Sequence, residues 1–115
     1  MCDSCLSAEP PWRSGVAALV YRETGRALVL ALKHGDRHNI VRPAADWMAH
    51  VSQDLVQTNM VVAPVPLHWT RLVRRRYNQA GLLSAALAKR LGLPHCVDLL
   101  VRRSRTRSLE GCSTD

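Results

Sequence analysis

The chain has very few aromatic side chains, and this limits the kind of core that it can build. Phenylalanine is absent, and the aromatic share of the 115 residues is only 4%. Hydrophobic residues still make up 47% of the chain, so a core must rest mainly on leucine, valine and alanine. A chain of this length forms one small domain at most.

Long apolar runs and a secretion signal are also missing. No stretch of about 18 apolar residues is present, so the sequence predicts no membrane span. Met1 leads directly to Cys2 without the basic and apolar regions of a signal peptide, which favours a cytoplasmic location. In that compartment the 4 cysteines are expected to be reduced or metal-bound rather than paired in disulfides.

Lysine and acidic residues are scarce, whereas arginine is abundant. Only 2 of the 16 basic residues are lysines, and the formal net charge is +7. Such a balance predicts anionic partners such as nucleotides, phosphosugars or nucleic acid. A genome rich in G and C also favours arginine over lysine, and that explanation involves no function.

The segment 61–81, VVAPVPLHWTRLVRRRYNQAG, is the most informative part of the chain. Residues 60–63 have the length and composition of a buried strand, and Pro64 and Pro66 end it because proline cannot donate to a sheet ladder. Four arginines follow within six residues: Arg71, Arg74, Arg75 and Arg76. Ligands of open α/β sheets bind just beyond strand ends, and arginine suits bidentate contact with phosphate. The segment therefore predicts an anion site, with a merely solvated helix face as the alternative.

The remaining patterns predict an α/β fold with a short parallel sheet flanked by helices. Strands are predicted at 16–21, 60–63 and 97–101, and helices at 26–34, 40–55 and 79–92. Thr24 and Gly25 are expected to separate the first strand from the first helix. Asn78 is expected to cap the last helix and Gly92 to end it. The order of strand, helix and strand between 60 and 101 implies a right-handed parallel crossover.

The segment PVPLHWTRLVRRRYNQAGLLSAALAKRLGL resembles the central motif of the ComF (competence protein F) family. ALVYRETGRALVLALKHGD resembles the family's opening strand and helix, and TRSLEG the segment that leads to its phosphate-binding half. The resemblance implies a partial type I phosphoribosyltransferase-like fold, truncated at both ends. It divides the chain into a zinc-ribbon linker remnant at 1–14, the N-terminal half of the phosphoribosyltransferase-like domain at 15–101, and a basic flexible loop or tail at 102–115.

The resemblance also implies which residues meet the ligand. In a complete relative, magnesium-bound phosphoribosyl diphosphate would lie at the turn formed by Val65, Pro66 and Leu67. Arg74, Arg75 and Arg76 would neutralise the leaving pyrophosphate. The arginines of the tail would fold over the substrate as part of a flexible loop: Arg102, Arg103, Arg105 and Arg107. A disordered basic end is the alternative for the tail.

Cys2 and Cys5 have the spacing of half a zinc site, and they stand where the family's last zinc knuckle would be. A structural zinc ion needs four ligands. Cys96 and Cys112 lie outside any ribbon spacing, and His34 is too far from Cys5 for a finger loop. Zinc is therefore expected only with ligands upstream of this chain, and a pair of free thiols is the alternative.

The acidic clamp for phosphoribosyl transfer is not found. Type I enzymes hold the ribose with two acidic residues after an apolar strand, and after residue 55 the only acidic residues are Asp98, Glu110 and Asp115. No catalytic residue is assigned, and this chain alone is expected to be inactive even if the complete relative is a phosphoribosyltransferase of nucleoside metabolism or DNA uptake.

Two other hypotheses stay open. The chain could be a basic competence module that contacts the backbone of single-stranded DNA, or other competence proteins, without catalysis. Binding through DNA phosphates should weaken steeply with salt, whereas a nucleotide site should saturate at one ligand and require magnesium. The chain could also be a truncated open reading frame without independent activity.

Overall fold

The computed structural model describes residues 3–34, 37–68, 71 and 78–104, and within these ranges the regular structure is helical. The α-helices are α1 (Asp3–Ser7), α2 (Glu23–His34), α3 (Val41–Ser52) and α4 (Gln79–Leu91). Short 3-10 turns, His38–Ile40 and Gln53–Leu55, flank α3. The predicted helices at 26–34, 40–55 and 79–92 are therefore confirmed with adjusted ends, and α1 lies in the region expected to be irregular.

The predicted α/β fold with a short parallel sheet is wrong, because no β-strand forms within the described ranges. What remains of the predicted crossover is a parallel bridge between Val62 and His95. The N–H of Val62 donates to the carbonyl of Pro94 (2.9 Å), and the N–H of Cys96 donates to the carbonyl of Val62 (3.0 Å). This single bridge joins the segments that precede and follow α4, but it does not make a sheet.

Pro64 explains why the pairing stops after a single bridge. In a parallel ladder the same edge is used by every second residue, so the next donor after Val62 would be residue 64. Pro64 has no N–H to donate. The run 97–101, which was predicted to be the paired strand, instead turns at residues 97–100. Its apolar members Val97, Leu99, Leu100 and Val101 are 54–74% exposed.

The predicted strand at 16–21 is also wrong, because this stretch turns back onto the start of α2. The N–H of Arg22 donates to the carbonyl of Val20 (2.8 Å), and Glu23 has a positive φ of 42°. Thr24 and Gly25 were expected to separate a strand from a helix, but both lie inside α2. The carbonyl oxygen of Val20 lies so close to Gly25 that a Cβ at this position would collide with it, so glycine is needed there.

The core lies between α3 and α4, where small side chains allow close packing. Ala45 on α3 is 0% exposed and Ala88 on α4 is 2% exposed. Ile40 and Val41 are also buried, and an exposed ion pair joins Asp46 to Arg90 across the two helices. No large side chain within the described ranges is fully buried, so the core is small.

The two ends of α4 fit the sequence predictions unequally. Gly92 ends the helix with a left-handed φ of 65°, as predicted, and its N–H donates to the carbonyl of Ala88. Asn78 occupies the N-cap position, but its side chain makes no capping hydrogen bond. Its Oδ1 atom is buried and has no hydrogen-bond partner among the described residues. The predicted side-chain cap is therefore wrong.

Within the described ranges, no helix combines the length and the apolar character that crossing a bilayer requires.

Candidate anion-binding groove

An open groove of about 510 Å³ lies between the proline-containing turn and the segment that follows the bridge. Its lining consists of Val65, Pro66, Val101, Arg102, Arg103 and Ser104. The groove therefore brings together two parts of the chain that are 35 or more residues apart in the sequence.

The bridge and the prolines together create this groove. The bridge between Val62 and His95 places the two segments side by side and running in the same direction. Since Pro64 cannot extend the pairing, the segments separate beyond it and leave a gap. Pro64 itself is buried, which anchors the start of the turn. Val65 and Val101, each 74% exposed, stand on the two walls of the gap.

The lining combines apolar and cationic side chains. Arg103 is exposed and Arg102 is half-buried, and no carboxylate is among the lining residues that the structure describes. Asp98, the nearest acidic residue in the sequence, accepts a hydrogen bond from the thiol of Cys96 (3.4 Å) and does not line the groove. Guanidinium groups suit bidentate contact with a phosphate or carboxylate group.

The structure brings only some of the predicted site residues together. Val65 and Pro66 line the groove with Arg103, while Leu67 is half-buried nearby in the chain and is not part of the lining. The other predicted arginines lie outside the described residues: Arg74, Arg75, Arg76, Arg105 and Arg107. Their part in the site stays a prediction.

The predicted half zinc site also lies largely outside the residues that the structure describes. Cys2 and the side chain of Cys5 lie outside the described residues, and Cys5 belongs to α1. Among the residues that are described, no group of three or more histidine, cysteine, aspartate or glutamate side chains is placed to hold a metal ion.

Sequence reasoning missed a polar contact between α4 and the bridged segment that contains His95. The Oγ atom of Ser84 on α4 lies 2.8 Å from Nε2 of His95 and 3.0 Å from the carbonyl oxygen of Gly81. A hydroxyl has one proton, so if Ser84 donates to Gly81, His95 must donate to Ser84. No motif in the sequence signals this pair, because Ser84 follows the helical pattern of α4 and His95 stands in a short linker.

A second contact joins α4 to α2. The side-chain amide of Gln79, the first residue of α4, donates to the backbone carbonyl of Lys33 in the last turn of α2 (3.3 Å). The contact places the end of α2 beside the start of the helix that follows the arginine-rich segment. The sequence pattern contains no signal for it, because it joins residues 46 positions apart.

Comparison with known proteins gives one informative match. No family model and no solved structure matches the chain. Competence protein F of Haemophilus influenzae is 32% identical to it over 117 residues, a region that covers 97% of this chain and 51% of the relative. The chain thus spans about half the length of this curated relative. The match confirms the ComF-family relationship that the central motif predicted.

Proposed function

We propose that this chain supplies an anion-binding groove to a ComF-type protein with a role in competence, and that the groove binds phosphoribosyl diphosphate or a nucleotide. Its relative is named as a competence protein, which supports the role. The observation that supports this ligand is the groove itself, which Arg102 and Arg103 line together with Val65 and Pro66.

The size and charge of the groove suit such a ligand. Its volume of about 510 Å³ falls within the range of roughly 300–1,000 Å³ that is typical of small-molecule sites. Near a protein surface, two opposite unit charges about 4 Å apart attract each other by about 4 kcal/mol. Arg102 and Arg103 can therefore hold a phosphate, while Val65 and Val101 offer apolar contact to a sugar or base.

Magnesium does not fit the groove as a resident ion. Mg²⁺ is normally held by one or two carboxylates together with substrate phosphates, and the described lining residues include no carboxylate. We propose that Mg²⁺ arrives bound to the phosphates of the ligand. The residues of this chain then bind and orient the ligand, and none of them is assigned a catalytic step.

The test is calorimetric binding of phosphoribosyl diphosphate and of a nucleoside monophosphate, with and without Mg²⁺. We expect the Arg102→Ala, Arg103→Ala double variant to bind at least about tenfold more weakly, because charge-assisted hydrogen bonds contribute about 1.5–3 kcal/mol each. The control is Arg13→Ala, Arg22→Ala. It removes the same charge from exposed positions outside the groove and should leave binding unchanged.

A second set of outcomes would favour the DNA-contacting module instead. If a single-stranded oligonucleotide binds without Mg²⁺, with affinity that falls steeply as salt rises, phosphate charge alone carries the interaction. Both double variants would then weaken binding to a similar extent, because each removes two positive charges. Equal nucleotide binding by the wild type and by the groove variant would refute the proposed groove.

A further inference from the structure

Ser104 lines the groove, and the proposed function gives its side chain no role. Ser104 is exposed, and its hydroxyl makes no hydrogen bond to another residue within the described ranges. Arg103, the residue before it, is also exposed and lines the same groove. The hydroxyl is therefore available to a ligand that the neighbouring guanidinium holds.

Arg102, Arg103 and Ser104 are consecutive in the chain, so their side chains start close together. Even in a fully extended chain, two residues span at most about 7 Å. All three residues line one groove, and an arginine side chain is long enough to cover such a distance. Their polar ends can therefore reach a single small group of atoms.

The side chains of these three residues match a terminal phosphate. A phosphate monoester has three oxygens besides its ester oxygen and carries a charge of about −1.5 to −2 at pH 7. Guanidinium forks bind phosphate oxygens in pairs, and a serine hydroxyl can donate to the third oxygen. A carboxylate offers only two oxygens and one charge, so it would leave a donor unused.

An internal phosphodiester of a nucleic acid fits the same side chains less well. It has two unesterified oxygens and a single negative charge. Coulomb attraction is proportional to the charge of the ligand, so a monoester dianion is attracted about twice as strongly by the same guanidiniums. The hydroxyl of Ser104 would also lose the third oxygen as its acceptor.

We propose that Arg102, Arg103 and Ser104 form a site for a terminal phosphate, and that Ser104 selects a phosphate monoester over a phosphodiester. The inference rests on the proposed function and narrows its ligand. The ligand class is a molecule that ends in a phosphate, either a free nucleotide or phosphosugar or the 5′-phosphate of a DNA strand. The internal phosphates of DNA are excluded from this class.

The test compares adenosine 5′-monophosphate with its methyl phosphate ester by calorimetry, because the two ligands share base and sugar. We expect the wild type to bind the monoester at least about tenfold more tightly. This preference should fall about fourfold when the pH is lowered from about 7.5 to about 5.5, since the second pKa of a phosphate monoester is about 6. The phosphate of the methyl ester does not titrate in this interval.

Three variants test the role of Ser104. Ser104→Ala should reduce the preference for the monoester to about threefold or less and leave the affinity for the methyl ester nearly unchanged. Ser104→Thr keeps a hydroxyl and should retain the preference. The control is Ser14→Ala, because Ser14 is also exposed but does not line the groove. It should behave as the wild type does.

Oligonucleotides distinguish the two sources of a terminal phosphate. A single strand with a 5′-phosphate is compared with the same strand ending in a 5′-hydroxyl at about 0.3 M salt, which weakens contacts to the backbone. Tighter binding of the phosphorylated strand than of adenosine 5′-monophosphate would identify a strand end as the ligand. Tighter binding of the nucleotide would identify a free nucleotide, and either result supports the terminal-phosphate site.

The results that overturn this inference differ from those that overturn the proposed function. Equal binding of the monoester and the methyl ester would refute the terminal-phosphate site and leave the anion groove in place. A full preference in Ser104→Ala would refute the selecting role of Ser104. Failure of both ligands to bind the wild type would refute the proposed function, and the inference with it.

Discussion

The contact between Ser84 and His95 should hold α4 against the bridged segments, and a double-mutant cycle can measure it. Ser84 is 6% exposed and its Oγ lies 2.8 Å from Nε2 of His95. A hydrogen bond of this kind contributes about 0.5–1.5 kcal/mol net. His95 is exposed, so water can replace the lost partner and the penalty for an unpaired group is small. We therefore expect a coupling free energy of about 1 kcal/mol between Ser84→Ala and His95→Ala.

The single substitution Ser84→Ala combines two opposing effects. Loss of the hydrogen bond destabilises the protein, while alanine stabilises a helix interior by about 0.5 kcal/mol relative to serine. The net loss should be about 0.5 kcal/mol. Ser52→Ala is the matched control, because the hydroxyl of Ser52 bonds only to its own helix, at the carbonyl of Met48 (2.7 Å). That control should be neutral or slightly stabilising.

The assay is urea unfolding followed by circular dichroism for the wild type, the two single variants and the double variant. Distant, independent substitutions add within about 0.3–0.5 kcal/mol. A coupling free energy below that range would mean that the contact between Ser84 and His95 does not stabilise the fold. A loss of stability in Ser52→Ala equal to that in Ser84→Ala would refute the reasoning in the same way.

Three further predictions test the packing and the anion site. Gly25→Ala should lower the free energy of unfolding by about 1–2 kcal/mol in urea denaturation, because its Cβ would collide with the carbonyl of Val20; unchanged stability would contradict this close approach. Ala45→Leu should cost about 1–3 kcal/mol, because Ala45 is 0% exposed where α3 packs on α4, and a rise in melting temperature would contradict the close packing. In a complete chain, Arg75→Ala with Arg76→Ala should bind phosphoribosyl diphosphate or nucleotide much less well, and unchanged calorimetric binding would exclude these two arginines from the site.

The helices could be predicted from the sequence because their signals are local. Apolar residues at three- and four-residue spacing marked α3, and Gly92 marked the end of α4 through its freedom to adopt a left-handed backbone. The N-cap at Asn78 failed because a capping side chain depends on its rotamer and neighbours, which the residue type alone does not fix. The position of Gly25 inside α2 was mispredicted for a similar reason. This glycine allows the carbonyl of Val20 to approach closely, and the residue type alone does not indicate such a neighbour.

The strands could not be predicted, because an apolar run does not by itself secure a partner. Residues 16–21 and 97–101 have strand-like composition, yet pairing requires donors and acceptors at matching positions on a second segment. In the register of the bridge, the N–H missing from Pro64 would have bonded to the carbonyl of Cys96 and continued the pairing towards residues 97–101. A proline therefore ends pairing on the neighbouring segment as well as on its own, and the composition of the neighbouring segment carries no sign of this.

Pro64 accounts for the groove, and a single substitution tests this. The absent N–H of Pro64 ends the pairing after the bridge at Val62 and leaves the gap that Arg102 and Arg103 line. A substitution of Pro64 by valine supplies a new N–H, which should extend the pairing and narrow the groove. Nucleotide binding measured by calorimetry should therefore become weaker, and unchanged binding would show that Pro64 does not open the groove.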